Sequence, residues 1–466
     1  MDMQATFKLA TLAVAILAAL GGCAGTSSNN GAPIGPALAS TMPEATETPP
    51  RPTACPPAVP AAASCLTGVD SRGAIYLIAK PANWNGVLVL HAHGGPNLEA
   101  PSAQRAAEDL TRWAVMVDAG YAWAGSTFRQ GGVAVRAAAE DTERLRGIFR
   151  RYVGKPTRTI LHGQSWGAGV AAKAAGMFTA QTVGETPYDG VLLSSGVLAG
   201  GSRSYDFRTD LRVVYQSLCH NHPRPAETQY PLNLGLPAGA KMTQADLSAR
   251  VNECLALDKP AANRTPEQQA RVQTIEKVIR IPASAIHSHM SWATFHYQDI
   301  SSKRTGGASP FGNMGVTYAG SPDDAALNAG VARYSADPAA YQRFAADTDP
   351  TGKIPVPVLA VKWISDPTAF VELDSYFKSV MDRGGSGERL VQTFTTQGTH
   401  SYISSPTYPT LVTALLAWIE QGAKPTPASI AAACPANEAR FGAGCSFDPG
   451  YTPAALESRV PARNRP

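Results

Sequence analysis

Ser165 lies in Gly163-Gln164-Ser165-Trp166-Gly167, a G-x-S-x-G pattern. A serine hydroxyl is a poor nucleophile unless it is held exposed beside a base. A sharp strand-to-helix turn does this, and only small residues fit two positions to either side of the serine. Both flanking elements are legible. Arg158–His162 reads as a short apolar strand, and the Ala/Gly-rich run that follows reads as a helix. The N-terminal N–H groups of such a helix point to where negative charge develops. A merely structural Gly-rich turn is the alternative.

A serine nucleophile needs a histidine to take its proton and a carboxylate to fix that histidine's tautomer. His400 closes Gly398-Thr399-His400, just after the alternating run Arg389–Thr396. Asp366 follows directly on the apolar run Val356–Ile364. Each therefore sits past the end of an expected strand, where an open parallel sheet collects its functional residues. Asp366 could instead cap a helix over Pro367–Arg383, with Glu372 and Asp374 as reserve acids, and His400 could be a lone loop histidine. Upstream, the expected strand Val87–His91 runs into His93-Gly94-Gly95-Pro96. Glycines there bring backbone close to a substrate, so the N–H groups of Gly95 and Trp166 are the candidate oxyanion donors. A tight turn after a core strand is the simpler reading of the same residues.

The elements that must position these residues alternate along the chain. Strands are expected at Gly73–Lys80, Val87–His91, Tyr121–Ser126, Arg158–His162 and Asp189–Ser195, with helices at Ala103–Ala119 and Ala134–Tyr152 between them. Such alternation predicts an α/β fold, a mostly parallel sheet covered by helices on both faces. It stops at Gly200–Asp349, where helical pieces such as Thr243–Leu257 and Pro266–Arg280 occur without strong strands. That insertion reads as a large, mainly helical lid.

With HGGP and GQSWG in hand, the chain resembles an α/β-hydrolase over Ser71–Gly196 and Ile354–Gln421. Its motifs are most like those of the prolyl-iminopeptidase and prolyl-oligopeptidase-like branches. The order Ser165, Asp366, His400 matches the α/β-hydrolase order. The resemblance implies nucleophile, acid and base in that order, with oxyanion donors at Gly95 and Trp166 and no cofactor. The iminopeptidases usually continue HGGPG, whereas here Asn97 follows Pro96, and the chain lacks the oligopeptidase propeller. The expected substrate is therefore a small-molecule carboxylic ester, with a peptide as the alternative. A non-catalytic binding protein on the same fold is a third reading. A peptidase would need acids in the lid for the substrate amine, and Asp206, Asp210, Glu253 and Asp299 form no recognisable pair. Within the lid, Ile286–Tyr297 concentrates histidines and aromatics. His93, Trp292 and His296 are the candidate substrate contacts, against a reading in which this segment only packs the lid on the core. His287 and His289 as metal ligands, and His220 and His222 beside Cys219, are weaker candidates; no metal site is expected.

The chain has 466 residues, a formal charge of +4 and 44% hydrophobic residues. This suits a sizeable globular core, and the absence of any Lys/Arg run argues against nucleic acid. Lys8, an apolar stretch Leu9–Leu20 and Gly21-Gly22-Cys23 resemble a bacterial lipoprotein signal, which implies signal peptide 1–22 and a lipid anchor on Cys23. Ordinary secretion is the alternative. The location expected is the cell envelope, an outer-membrane lipoprotein facing the periplasm or outside, and otherwise the periplasm or medium. Residues 23–63 are rich in Pro, Ala, Ser and Thr and read as a disordered tether. Beyond it, the expected segments are core at 64–200 and 351–421, the lid at 201–350, and a tail at 422–466. Of seven cysteines, setting Cys23 aside leaves six. An even number in an exported chain suggests disulfides, and spacing suggests Cys55–Cys65, Cys219–Cys254 and Cys434–Cys445.

Overall fold

The computed structural model describes residues 47–179 and 186–466. The expected signal segment 1–22 and Cys23 lie outside the described residues. Nine strands form one sheet: β1 (Arg51–Thr53), β2 (Ser64–Val69), β3 (Ile75–Lys80), β4 (Val87–Ala92), β5 (Ala122–Ser126), β6 (Arg158–Gln164), β7 (Gly190–Ser194), β8 (Val358–Trp363) and β9 (Leu390–Thr395). Their spatial order is β1-β2-β3-β5-β4-β6-β7-β8-β9. The pairs from β5 through β4 to β9 are all parallel, while β3 runs antiparallel to β5. This is the α/β-hydrolase fold.

Strand alternation sorts the core onto two faces. Leu88, Leu90, Ala92 and Leu161 pack into one buried cluster with Ala138, Leu145 and Phe149 of a helix, α2 (Val135–Tyr152). Val87, Val89 and Ile160 point the other way, against Leu110 of α1 (Ala103–Arg112) and Leu411 and Leu415 of α10 (Thr407–Gln421). The central parallel strands are buried on both faces, as a helix-covered sheet requires.

The chain between β7 and β8 is helical and carries a cluster of its own. Its main helices are α4 (Phe207–Cys219), α5 (Gln244–Leu255), α6 (Pro266–Ile279), α7 (Ala283–Ser291) and α8 (Pro338–Thr348). Leu211, Val214, Leu247, Val251 and Ile275 pack together there. From α7 the helix continues through wider π turns at Trp292–His296 and Ile300–Arg304. Such turns insert a residue and re-aim side chains, and they are frequent at functional sites.

Several expectations need correction. The tether expected over 23–63 does not reach 63. Arg51–Thr53 pairs with Cys65–Thr67, and Cys55 is bonded to Cys65. The helix expected over Ala103–Ala119 breaks at the buried Trp113, which packs on His91, His162 and Tyr408. The helix expected from Pro367 begins five residues later, as α9 (Glu372–Arg383). The tail does more than carry a disulfide. Leu456 and Val460 join the cluster of the inserted helices, and Arg463 meets Asp210 of α4 at 2.6 Å. All three disulfides are present with the expected partners. Among the described residues no helix is long and apolar enough to cross a membrane.

Candidate active site

Ser165 sits between β6 and the helix α3 (Trp166–Ala174) with φ 56° and ψ −121°. A non-glycine residue at positive φ is strained and persists only where its surroundings over-determine it. They do so here. A Cβ on Gly163 would strike the backbone of Gly167 and Ala168, and one on Gly167 would strike the carbonyl oxygens of Ala92 and His93. The Ser165 N–H is anchored on the Ser194 carbonyl at 2.9 Å, and its own carbonyl accepts from Ala168 and Val197. The turn is thus clamped between β4 and β7.

The loops after β8 and β9 bring the other two groups to it. Ser165 Oγ lies 2.7 Å from His400 Nε2, and His400 Nδ1 lies 2.7 Å from Asp366 Oδ2. A carboxylate only accepts, so Nδ1 carries the proton and Nε2 is left to accept from the serine hydroxyl. The other oxygen, Asp366 Oδ1, accepts from the N–H groups of Thr368 and Ala369 at 2.8 and 3.0 Å. The capping role and the histidine contact are therefore both real and use different oxygens. Neither reserve acid competes. Asp374 is buried against Lys362, and Glu372 pairs with Arg459 at 3.4 Å.

The candidate oxyanion donors come from β4 and α3. Gly95 has φ 63° with open space where a side chain would stand, so its backbone is uncovered. Among the described residues, neither its N–H nor that of Trp166 donates to a protein acceptor. Arg105 Nη2 holds the Gly94 carbonyl at 2.5 Å and braces this turn. His93 is buried, stacks on Phe128 at 4.3 Å and bonds the Gly94 carbonyl through Nδ1. Burial holds its pKa below the ordinary histidine value. It lines a cleft beside the turn together with Pro96, Phe128, Gln130 and Trp166.

The inserted helices close over both flanks. His296 Nε2 bonds the Pro96 carbonyl at 3.1 Å, and its ring stacks on Trp292 at 3.9 Å. His289 Nε2 bonds the Pro367 carbonyl at 2.9 Å. Burial pushes His289 down to about 3 and His296 to about 4, so both are neutral near pH 7. Of the other candidate histidines, His287 meets Ser248 Oγ, and His222 meets Thr294 Oγ1 at 3.1 Å. Asp206 and Asp210 are engaged by Arg463 and Arg465, Glu253 by Arg224, and Asp299 by Lys303 and Arg304. One supporting residue carries no readable sequence signal as such. Gln164 Nε2 donates to the His400 carbonyl at 2.8 Å, tying the histidine loop to the residue before the serine.

No family model matches the chain, and no curated protein matches it. Solved structures similar to it include an esterase from Aspergillus oryzae, 12% identical, covering 80% of this chain and 85% of that one, with a TM-score of 0.42. A feruloyl esterase B from Aspergillus oryzae is 13% identical, covering 77% of this chain and 81% of that one, with a TM-score of 0.40. A tannin acyl hydrolase from Aspergillus niger is 12% identical, covering 82% and 83%, with a TM-score of 0.37. The substrates in these names belong to those proteins. For this chain, strand order and the turn at Ser165 define the fold.

Proposed function

We propose that this chain is an exported serine hydrolase that cleaves carboxylic esters through an acyl-serine intermediate. The observation that carries the reading is the continuous hydrogen-bond chain Ser165–His400–Asp366, with both links at 2.7 Å. Ser165 Oγ attacks the ester carbonyl carbon as His400 Nε2 takes its proton. The oxyanion that forms is held by the N–H groups of Gly95 and Trp166. When the tetrahedral centre collapses, the C–O bond to the alcohol breaks and His400 returns the proton to the departing alkoxide. Water then attacks the acyl-serine with His400 again as base, which releases the acid and restores the hydroxyl. Asp366 keeps the Nδ1 tautomer and faces the imidazolium while it exists.

Ester is favoured over peptide because the candidate acids of the inserted helices, Asp206, Asp210, Glu253 and Asp299, are already paired with arginine or lysine. A p-nitrophenyl ester panel run beside aminoacyl p-nitroanilides tests the choice. Turnover of esters alone is expected, and anilide turnover at comparable efficiency would overturn it. Export is supported by three disulfides, which persist in an oxidising compartment. A diacyl anchor on Cys23 followed by a tether would hold the enzyme at a membrane surface. The wild type is then expected in the detergent phase and Cys23→Ser in the aqueous phase; a wholly soluble wild type would refute the anchor.

A further inference from the structure

Arg208 stands on the first turn of α4 and is 4% exposed. Its guanidinium lies 4.7 Å from the ring centres of both Phe207 and Trp292 and 5.1 Å from that of Tyr205. Within the described residues no carboxylate reaches it. Its Nε has no partner, and Nη1 reaches only the Ser204 carbonyl at 3.4 Å. Other buried arginines differ: Arg144, Arg304 and Arg463 each meet a carboxylate within 3.6 Å. Arg212, one turn further along, also lacks a carboxylate and has no partner for Nε or Nη1. It is fully enclosed, however, and its Nη2 reaches the Gly235 carbonyl at 3.3 Å.

Arg208 also lies close to the chemistry. Trp292, on which it rests, is half-buried and stacks on His296, which bonds the carbonyl of Pro96 beside Gly95. Phe207 packs edge-on against His289 at 4.9 Å, and His289 bonds the carbonyl of Pro367 beside Asp366. The aromatic box therefore touches both flanks of Ser165 through single intermediates. Burial lowers Arg208 to about 10, so it remains a cation at neutral pH.

We propose that Arg208 binds a carboxylate of the substrate, so that the ester this enzyme cleaves carries an ionised carboxyl group in its acyl or its alcohol part. This rests on the ester-hydrolase reading. A desolvated cation without an anion is costly to the folded protein, and the edge formed by Nε and Nη2 has no acceptor among the described residues. A planar fork with free edges matches a carboxylate in two parallel hydrogen bonds. Neutral His289 and His296 add no competing charge. An aminopeptidase would need the opposite sign at this place.

The test compares matched esters on the full chain. p-Nitrophenyl hemiglutarate against p-nitrophenyl butyrate places the carboxylate on the acyl side, and 4-butyryloxybenzoate against phenyl butyrate places it on the alcohol side. The wild type is expected to favour the anionic member of at least one pair by about tenfold or more in kcat/KM, mostly through KM. Arg208→Gln should bring that ratio near one, and Arg208→Lys should leave it between the two. Ratios near one in both pairs for the wild type, or a ratio retained in Arg208→Gln, would overturn the proposal. Turnover of the neutral esters in that case leaves the ester reading standing. Calorimetric titration with glutarate and benzoate decides the matter apart from turnover. Wild-type binding that Arg208→Lys weakens supports the site, and no binding of either anion refutes it, whether or not any ester is cleaved and whether or not Arg208→Gln folds.

Discussion

Asp366 uses both of its oxygens, one for the backbone turn that holds it and one for His400. Changing it to asparagine keeps the turn but allows the amide to donate toward Nδ1, which selects the wrong imidazole tautomer. Asp366→Asn is expected to lower kcat by about four orders of magnitude while the fold survives. Glu372→Gln, which touches only the Arg459 pair, should change kcat little. A mild Asp366→Asn beside a severe Glu372→Gln, in the same ester assay, would show that the acid is misassigned. Ser165, Asp366 and His400 were legible in the sequence because each follows an apolar run at a strand end. Gln164 and Arg208 were not. Their roles depend on contacts across the fold, with the His400 loop in one case and with Trp292 in the other. Nothing in the local pattern marks which arginine lacks an acid.

At the scale of elements, strongly periodic segments read well. The helix over Thr407–Gln421 is as expected, and the strand before Ser165 extends two residues beyond His162, to Gln164. The misses have tertiary causes. Trp113 sits in a run with helical periodicity, yet packing on His91, His162 and Tyr408 breaks the helix there. Asp366 capping a separate turn delays α9 to Glu372. β1 and β2 were missed because their residues, RPT and SCLTGV, are short and largely exposed. Their place is set by antiparallel pairing and by the Cys55–Cys65 bond rather than by an apolar pattern.

Across the whole molecule, the buried histidines set a pH response. Burial holds His162 and His289 down to about 3 and His296 to about 4, and it also lowers His91, His93 and His222. In the unfolded chain these groups titrate near 6.5. Because their native values are depressed, the stability they contribute is complete above pH 6.5 and is lost as pH falls toward the native values. Each costs about 1.4 kcal/mol per pH unit in that window. Burial also raises Asp70, Asp109, Asp141, Asp210, Asp347, Asp349 and Asp374, which act in the opposite sense, but their contribution builds upward from the ordinary carboxylate range near 4, whereas that of the six histidines is lost from 6.5 downward, across the upper part of the window. The denaturant midpoint should therefore fall between pH 7.5 and pH 5; a midpoint that is flat or rises on acidification would contradict this. The same scale shows why the tail was misjudged. Its sequence is Pro/Ala-rich, but Arg463 and Arg465 supply the counter-charges for Asp206 and Asp210 on the far side of the chain.

The central claim is that Ser165 is the nucleophile, and a fluorophosphonate tests it most directly. After reaction with excess reagent, peptide mass spectrometry is expected to find one adduct, on Ser165, in proportion to the loss of esterase activity. Ser165→Ala should neither label nor retain more than about a thousandth of the wild-type turnover. An adduct on another residue that tracks inactivation, or a Ser165→Ala variant with a tenth or more of wild-type activity, would contradict the account.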